Sequence, residues 1–221
     1  MRTLLPFANG ESDYFFGWSL ESSRGQQRIR SNRISVCVSV VSEEGHVLNA
    51  RLSTPIIVMG VSGCGKTTVG RAVAKRVHAT FLDADDFHPG ANVTKMSAGT
   101  PLNDDDRAPW LAKLNDALRT RIDHGEQVVL ACSALKINYR AALGAGLAHV
   151  RWIFLDGSFE LIAARLRDRP DHYMPGSLLR SQFDVLERPE DAVTISIELS
   201  LDEQIEAALL ALRDHQKTQA L

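Results

Sequence analysis

The segment at residues 56–67 constrains the fold of this chain more than any other part of its sequence. The apolar run Ile56–Met59 leads directly into the stretch Gly-Val-Ser-Gly-Cys-Gly-Lys-Thr, and an amphipathic helical pattern follows. A continuous apolar run is typical of a strand buried on both faces, and the glycine-rich pattern after such a strand is a P-loop. Its backbone N–H groups can face a single anion, and the next helix points its positive dipole end at the same place. The sequence therefore predicts a phosphate site between a strand and a helix.

Two side chains complete the predicted phosphate site. Lys66 can reach the β- and γ-phosphates of a nucleotide, and the Thr67 hydroxyl is placed to ligate Mg²⁺. The pattern could also be a glycine turn with an incidental lysine, but the strand before it and the helix after it favour the P-loop. The residues predicted to bind ATP are Gly60, Val61, Ser62, Gly63, Cys64, Gly65, Lys66, Thr67 and Thr68.

Strand and helix patterns alternate from residue 54 to the end of the last helix. Such alternation predicts an α/β fold in which helices cover both faces of a parallel sheet. Ligands of these sheets bind beyond the carboxyl ends of the strands, so we expect the rest of the site there. The five predicted strands lie at 56–59, 79–82, 127–132, 150–155 and 193–197.

The sequence divides the chain into three parts. Residues 1–53 show no sustained hydrophobic period and are predicted to be a poorly ordered N-terminal extension, with a short strand possible at 34–41. Residues 54–215 are predicted to form one P-loop domain, and residues 216–221 a C-terminal tail. The N-terminal residues lack a basic segment followed by an apolar core and a cleavage site, so we expect no secretory signal.

Composition argues against several classes of partner. The formal net charge is −2, so we expect no nucleic-acid partner. No apolar run approaches the roughly 20 residues that span a bilayer, so we expect no membrane partner. The three cysteines, Cys37, Cys64 and Cys132, lack metal-ligand spacing and are odd in number, which predicts reduced thiols in the cytoplasm. Cys64 lies within the P-loop, where it could be oxidised or alkylated.

Acidic residues gather where the second predicted strand ends. Asp83, Asp85 and Asp86 precede His88 and Pro89. Phosphoryl transfer needs an acidic group that helps to hold Mg²⁺ and a carboxylate that orients or deprotonates the attacking hydroxyl. The alternative is a solvated acidic turn before Pro89, but the nearby P-loop favours a functional role.

Several blocks of this sequence resemble the gluconokinase family. They run from about residue 56 to the last helix, in the family's order and with its spacing, whereas residues 1–53 have no counterpart. Cys64 and Ala134 depart from the pattern, because serine or a similar small residue is common at both places. The resemblance is carried by residues 60–67, Asp83-x-Asp85-Asp86-x-His88-Pro89, Asn92-x-x-Lys95-Met96-Ser97-x-Gly99-x-Pro101-Leu102, Asp106-Arg107-x-Pro109-Trp110-Leu111, Cys132-Ser133-x-Leu135-Lys136-x-x-Tyr139-Arg140, Leu155-Asp156-Gly157, Arg165-x-x-x-Arg169, His172-x-Met174-Pro175 and Gln182-Phe183-x-x-Leu186-Glu187.

The resemblance implies a fold, a reaction and its cofactors. The fold would be a five-stranded parallel sheet of the nucleoside-monophosphate-kinase type with a helical lid. The reaction would be the Mg²⁺- and ATP-dependent phosphorylation of D-gluconate to 6-phospho-D-gluconate, which feeds the pentose phosphate and Entner–Doudoroff routes. The resemblance also suggests a homodimer.

Roles for individual residues follow from this resemblance and from the chemistry of the substrate. Asp85 would orient and deprotonate the attacking hydroxyl, and Asp83 would hold a water on Mg²⁺. The carboxylate of gluconate needs cations, which Lys136 and Arg140 could supply. Without the resemblance, these two residues would more simply form an exposed basic face of a helix. The residues predicted to bind this substrate are Asp85, His88, Arg107, Lys136 and Arg140.

The predicted lid spans about residues 160–187 and contains two arginines. Arg165 and Arg169 lie one helical turn apart, so both project from one face. A closing lid excludes water, and the two cations would meet the charge on the phosphoryl group in transfer. The alternative is a pair of surface arginines. The predicted catalytic set is Lys66, Asp85, Arg165 and Arg169.

Two other classes of protein share the P-loop. One is another small-molecule kinase of this fold, such as a shikimate or nucleoside monophosphate kinase. The other is a GTP-dependent switch, which would be expected to carry an Asn-Lys-x-Asp motif that reads guanine, and this sequence has none.

Overall fold

The computed structural model describes most residues of one of the two units of this chain. The chain divides into two units, Met1–Ser35 and Val36–Leu221, and every described residue belongs to the second. Most of the predicted extension at 1–53, and lid residues 168–175, lie outside the described residues. The backbone is described for residues 38–41, 47–50, 54–167 and 176–218, and the side chains for residues 54–167 and 177–213.

A two-stranded antiparallel sheet precedes the P-loop in the chain. Its strands are β1 (Val38–Val41) and β2 (Val47–Ala50), which pair from Val38 with Ala50 to Val41 with Val47. β1 overlaps the short strand that the sequence predicted at 34–41. β2 was not predicted, because its sequence, Val-Leu-Asn-Ala, is not a continuous apolar run.

Five parallel strands form the central sheet. They are β3 (Ile56–Met59), β4 (Thr80–Asp83), β5 (Val128–Ala131), β6 (Arg151–Asp156) and β7 (Val193–Ser196). Their spatial order is β4-β5-β3-β6-β7, and every neighbouring pair is parallel. The prediction of a five-stranded parallel sheet is therefore confirmed, and each strand lies within one residue of its predicted bounds.

Seven α-helices flank this sheet in the described part of the chain. α1 (Lys66–Arg76) starts at the P-loop, and a 3₁₀ turn, Ala84–Phe87, follows β4. The others are α2 (Gly90–Ser97), α3 (Asp104–Asp123), α4 (Ile137–Gly144), α5 (Phe159–Arg167), α6 (Gly176–Asp184) and α7 (Leu201–Thr218). α7 continues past residue 215, where the sequence predicted that the domain ends. Among the described helices we find none with the length and apolar character needed to cross a bilayer.

The two faces of the sheet pack against different helices. Ile56 and Val58 point to one face and join a hydrophobic cluster with residues of α1, α5 and α7. Ile57 and Met59 point to the other face and join a cluster with residues of α3 and α4. Alternate side chains of a strand face opposite sides, so a strand covered on both sides must be apolar throughout, as β3 is.

The carboxyl ends of three strands meet at one edge of the sheet. Ala131 of β5 pairs with Val58 of β3 and with Asp83 of β4. The P-loop, the 3₁₀ turn and the segment after β5 therefore leave the sheet side by side, which is where ligands of such sheets bind.

A capping box fixes the start of α3 near this edge. The Asn103 side chain accepts a hydrogen bond from the Asp106 N–H at 2.8 Å, and the Asp106 carboxylate accepts one from the Asn103 N–H at 2.8 Å. Both bonds satisfy N–H groups that a helix terminus otherwise leaves unpaired. Asp104 and Arg107, in the first turn, are positioned by this cap.

Candidate active site

Glycines with positive φ shape the P-loop between β3 and α1. Gly60 has φ 142° and Gly63 has φ 82°. A Cβ at Gly60 would lie 2.7 Å from a backbone oxygen of β6, and one at Gly63 would lie 2.7 Å from the Cγ of Leu166 in α5. Either side chain would collide with these elements, so the close approach requires glycine. Lys66 Nζ donates a hydrogen bond to the Val61 carbonyl at 3.0 Å, which holds the ammonium against the loop.

A side chain of α6 also reaches the P-loop. The Ser62 N–H donates a hydrogen bond to Oε1 of Gln182 at 2.7 Å. Leu166 of α5 packs on the loop at Gly63. The two helices that the sequence assigned to the lid therefore both contact the phosphate loop. Sequence reasoning gave Gln182 no role, although it was visible as part of a family motif.

Oxygen ligands suited to Mg²⁺ lie beside the P-loop lysine. The Thr67 hydroxyl donates to Oδ2 of Asp83 at 2.9 Å, and the other carboxylate oxygen of Asp83 accepts the Asp85 N–H at 3.2 Å. Mg²⁺ prefers one or two such oxygen ligands together with substrate phosphates and water. The described residues contain no group of three or more His, Cys, Asp or Glu side chains that could hold a metal by themselves. The Thr67–Asp83 pair thus fits a nucleotide-bound Mg²⁺ rather than a metal caged by protein.

Three predicted site residues act on one buried thiol at the end of β5. The charges of three residues change the pKa of the Cys132 thiol. These residues are Lys66 of α1, Asp85 of the 3₁₀ turn and Arg107 of α3. Burial is the main cause that raises the pKa of Cys132 to about 12. The pKa of Cys132 is thus influenced by a P-loop cation, by the carboxylate of the 3₁₀ turn and by a cation of α3.

The P-loop cysteine is not the reactive group that the sequence suggested. Cys64 is fully buried, and burial raises the pKa of its thiol despite the opposing charge of Lys66. The thiolate is the form that is oxidised or alkylated. The described environment of Cys64 therefore disfavours that chemistry.

A cleft of about 460 Å³ lies between the start of α3, α4 and α6. Two predicted substrate cations, Arg107 and Lys136, line it together with Tyr139 and Gln182. The Arg107 guanidinium lies 5.5 Å and the Lys136 ammonium 5.3 Å from the centre of the Tyr139 ring. Its remaining lining residues are Pro101, Leu102, Asn103, Asp104, Asp105, Ser181 and Val185.

Asp104 organises the polar wall of this cleft. Its carboxylate accepts hydrogen bonds from Lys136 at 2.7 and 3.1 Å and from the Tyr139 hydroxyl. The bond from Lys136, followed by that from Tyr139, lowers the pKa of Asp104, and the same bond raises the pKa of Lys136. Lys136 is therefore a charged and oriented donor. From the sequence, neither Asp104 nor Tyr139 was assigned a binding or catalytic role.

The structure gives Arg140 a different environment from the one predicted. Its side chain is buried, at 7% exposure, and Nη1 donates to the backbone carbonyls of Ala134, Leu135 and Glu187. It is also absent from the lining of the cleft. These contacts join the end of β5 to the segment after α6, so they support a structural role rather than contact with substrate.

His88, which was predicted to bind substrate, lies in a partly buried environment. Its ring stacks on Trp110 with the ring centres 4.3 Å apart, and Nδ1 is buried without a hydrogen-bond partner among the described residues. Burial is the main cause that lowers the pKa of His88; Asp85 opposes this effect and Arg107 adds to it. The lowered pKa disfavours the charged form of His88.

The lid arginines are described only in part. Nη2 of Arg165 donates to the Ile197 carbonyl at 2.5 Å, and the charge of Arg165 acts on the P-loop thiol of Cys64. Arg165 thus lies near the phosphate loop. Arg169 lies outside the described residues, so its predicted role stays a prediction.

Comparison with known proteins places this geometry in a family. The family model described as shikimate kinase matches residues 62–189. Thermosensitive gluconokinase from Escherichia coli (strain K12) is 46% identical over 166 residues, which cover 72% of this chain and 89% of that protein. Gluconokinase from Arabidopsis thaliana is 42% identical over 163 residues, covering 68% and 86%. The crystal structure of a gluconokinase from Sinorhizobium meliloti 1021 superposes with a TM-score of 0.69 at 39% identity and covers 77% of this chain and 99% of that one.

These matches agree with the parallel sheet, the P-loop and the cleft beside it. Together they define the class: this is a P-loop kinase that acts on a small molecule. The shikimate kinase model spans more than half of the chain. The gluconokinases reported above are 39–46% identical to it, and the chain belongs to the gluconokinase family. The resemblance noted from the sequence motifs is thereby confirmed.

Proposed function

We propose that this protein transfers the γ-phosphoryl group of ATP to the 6-hydroxyl of D-gluconate, giving 6-phospho-D-gluconate and ADP. The cleft beside the P-loop carries the proposal, because Arg107 and Lys136, the latter paired with Asp104, line a site for a small polar anion. Charge-assisted hydrogen bonds suit the single carboxylate of gluconate. Asp104 and Tyr139 add oxygens that can meet the hydroxyls of a polyol.

The phosphate end of ATP would lie in the P-loop. The backbone N–H groups of residues 60–65 and the start of α1 suit an anion. Lys66 leaves the Val61 carbonyl for the β- and γ-phosphates, where its charge stabilises the transition state more than the ground state. Arg165 and Arg169 would add positive charge from the lid side.

Thr67 and Asp83 would hold Mg²⁺, Thr67 directly and Asp83 through a water. When bound, Mg²⁺ supplies positive charge that neutralises the β- and γ-phosphate oxygens. Asp83 also orients the catalytic turn, because it accepts the Asp85 N–H.

Asp85 would act as the general base on the acceptor. It accepts the proton of the 6-hydroxyl as that oxygen forms a bond to the γ-phosphorus. The bond from the γ-phosphorus to the β,γ-bridging oxygen breaks at the same time, and ADP leaves with the electron pair. Asp85 is exposed at the strand-end edge and does not itself line the cleft, so the acceptor hydroxyl would have to extend beyond the cleft to reach its carboxylate.

An acceptor panel tests this function. Production of ADP with Mg²⁺ and ATP is followed in the presence of gluconate, shikimate, a nucleoside monophosphate, or no acceptor. We expect kcat/KM for gluconate to exceed that for the other acceptors by about 100-fold or more, because a site built for particular polar groups rejects analogues that lack them. Faster turnover with shikimate or a nucleotide would overturn the proposal. Slow production of ADP at the same rate with and without each acceptor would instead indicate a nucleotide-dependent switch.

The family resemblance also supports proposals about assembly and location. We propose a homodimer that works in the cytoplasm without nucleic-acid or membrane partners. Light scattering of the purified chain checks the dimer, since a mass near 24.3 kDa would identify a monomer.

A further inference from the structure

Gln182 belongs to two parts of the site at once. Its Oε1 accepts the Ser62 N–H at 2.7 Å, which is a short and therefore well-formed N–H···O bond. The same side chain lines the cleft that holds Arg107, Lys136 and Tyr139. No other residue of the P-loop or of the described cleft has such a direct bond from one to the other among the hydrogen bonds of the described residues.

Ser62 is an interior residue of the P-loop, where backbone N–H groups serve phosphate oxygens. In this structure its N–H serves the amide oxygen of Gln182 instead. A phosphate oxygen is a charged acceptor and binds an N–H more strongly than a neutral amide oxygen does. A phosphate oxygen at this place and the amide oxygen of Gln182 would therefore compete for one donor.

If phosphate takes this donor, the Gln182 side chain has a specific place to go. A glutamine side chain has two N–H donors and one carbonyl acceptor, which match the hydroxyls of a polyol. Since Gln182 already lines the cleft, a rotation of its side chain is enough to present these groups there.

We propose that Gln182 couples the two substrates: nucleotide phosphate takes the Ser62 N–H and releases the Gln182 amide to bind an acceptor hydroxyl in the cleft. The acceptor half of this inference rests on the proposed function. The nucleotide half rests only on the P-loop. Because coupling between sites is reciprocal, each ligand strengthens the binding of the other by the same factor.

The first test measures binding of a non-hydrolysable ATP analogue with Mg²⁺ by titration calorimetry, without any acceptor. Gln182→Met keeps the length of the side chain but removes the competing oxygen, so we expect the analogue to bind about 2- to 10-fold more tightly, the range for one net hydrogen bond. Gln182→Glu places a carboxylate where phosphate must bind, so we expect binding to weaken by about 10-fold or more. Weaker binding by Gln182→Met, or equal binding by all three proteins, would overturn the competition.

The second test measures the dissociation constant of gluconate with and without the saturating analogue. In the wild-type protein we expect the analogue to lower the dissociation constant of gluconate by at least about fivefold. In Gln182→Met we expect the ratio of the two dissociation constants, without and with the analogue, to be near one. Asp184→Asn, an exposed change two residues further along α6, is the control and keeps the wild-type ratio. An unchanged ratio in Gln182→Met would overturn the coupling. If the wild-type protein does not bind gluconate, the proposed function fails, and the first test still decides the role of Gln182 at the P-loop.

Discussion

At the scale of single residues, Asp85 and Asp86 stand next to each other in the 3₁₀ turn, yet we assign chemistry only to Asp85. We expect Asp85→Asn to lower kcat by about 10²- to 10⁴-fold, the usual contribution of a general base, with little change in the affinity for ATP. Asp86→Asn is the matched control, since both carboxylates are exposed on the same turn. Steady-state kinetics and nucleotide titration check both variants. A similar loss of kcat in the two variants would show that the turn merely needs negative charge.

Lys136 offers a test of the proposed acceptor cleft. We expect Lys136→Met to raise KM for gluconate by about 10- to 100-fold, the loss of one hydrogen bond to a charged group, while KM for ATP changes little. Lys113→Met is the control, because Lys113 lies over the Phe87 ring and outside the cleft. Equal values of KM for gluconate in both variants would contradict our placement of the acceptor.

The burial of His88 gives a pH dependence of stability. Because its pKa in the folded protein is lowered from 6.5, the unfolded chain takes up the proton first as pH falls. The stabilising contribution of His88 is thus complete above about pH 6.5 and is lost as pH falls through the lowered value. His88→Phe keeps an aromatic ring on Trp110 but cannot titrate. We expect the melting temperature of the wild-type protein to fall more than that of His88→Phe between about pH 7.5 and 5.5, and parallel curves would contradict this origin.

Residue-scale prediction from the sequence was strongest where the chemistry is local. The P-loop and the proximity of Thr67 to Asp83 follow from a contiguous motif and from the geometry of strand ends. Arg140 and His88 were both assigned to substrate, but their burial depends on packing against residues far away in the chain. Gln182 and Ser62 are 120 residues apart, and no pattern in one sequence reveals such a contact.

At the scale of elements, a group of hydrogen bonds, here called the clasp, connects the segment after α6 to the end of β5 and the start of α4. We define this clasp by Leu135, Ile137, Arg140 and Glu187. The Glu187 N–H donates to the Leu135 carbonyl at 2.9 Å, the Ile137 N–H donates to the Glu187 carboxylate, and Arg140 bonds the Glu187 carbonyl at 3.0 Å. The clasp fixes one end of the lid region while α6 contacts the P-loop.

The clasp predicts that Arg140 matters for stability. In Arg140→Met the buried carbonyls that it serves lose a donor, so we expect the free energy of unfolding to fall by about 1–3 kcal/mol. For a chain of this size each kcal/mol lowers the melting temperature by about 2–4 °C. Urea and thermal unfolding measure the loss. An unchanged stability together with a large rise in KM for gluconate would restore the substrate role first predicted for Arg140.

The strands were easier to predict than the regions between them. Each strand of the central sheet is buried and short, so an apolar run marks its bounds. The segment 92–110 lacks such a period because much of α2 and the start of α3 are exposed, so the sequence does not define the bounds of these helices. Its capping residue was nevertheless predictable, because Asn103 is a typical N-cap.

At the scale of the whole molecule, the order of the elements defines where the reaction occurs. Alternating strands and helices place the P-loop, the acidic turn and the start of α4 at one edge of the sheet. That architecture could be predicted from the sequence, since it depends only on the periodicity of apolar residues. The shape and lining of the cleft could not, since α3, α4 and α6 bring its residues from distant parts of the chain.

The central claim is the transfer of phosphate from ATP to the 6-hydroxyl of D-gluconate. It is tested most directly by nuclear magnetic resonance on a reaction of gluconate labelled with ¹³C at carbon 6, ATP and Mg²⁺. We predict that the labelled carbon shifts and acquires a coupling to phosphorus as ADP accumulates, in equal amounts. Production of ADP with an unchanged carbon-6 signal, or phosphate on another carbon, would contradict the account.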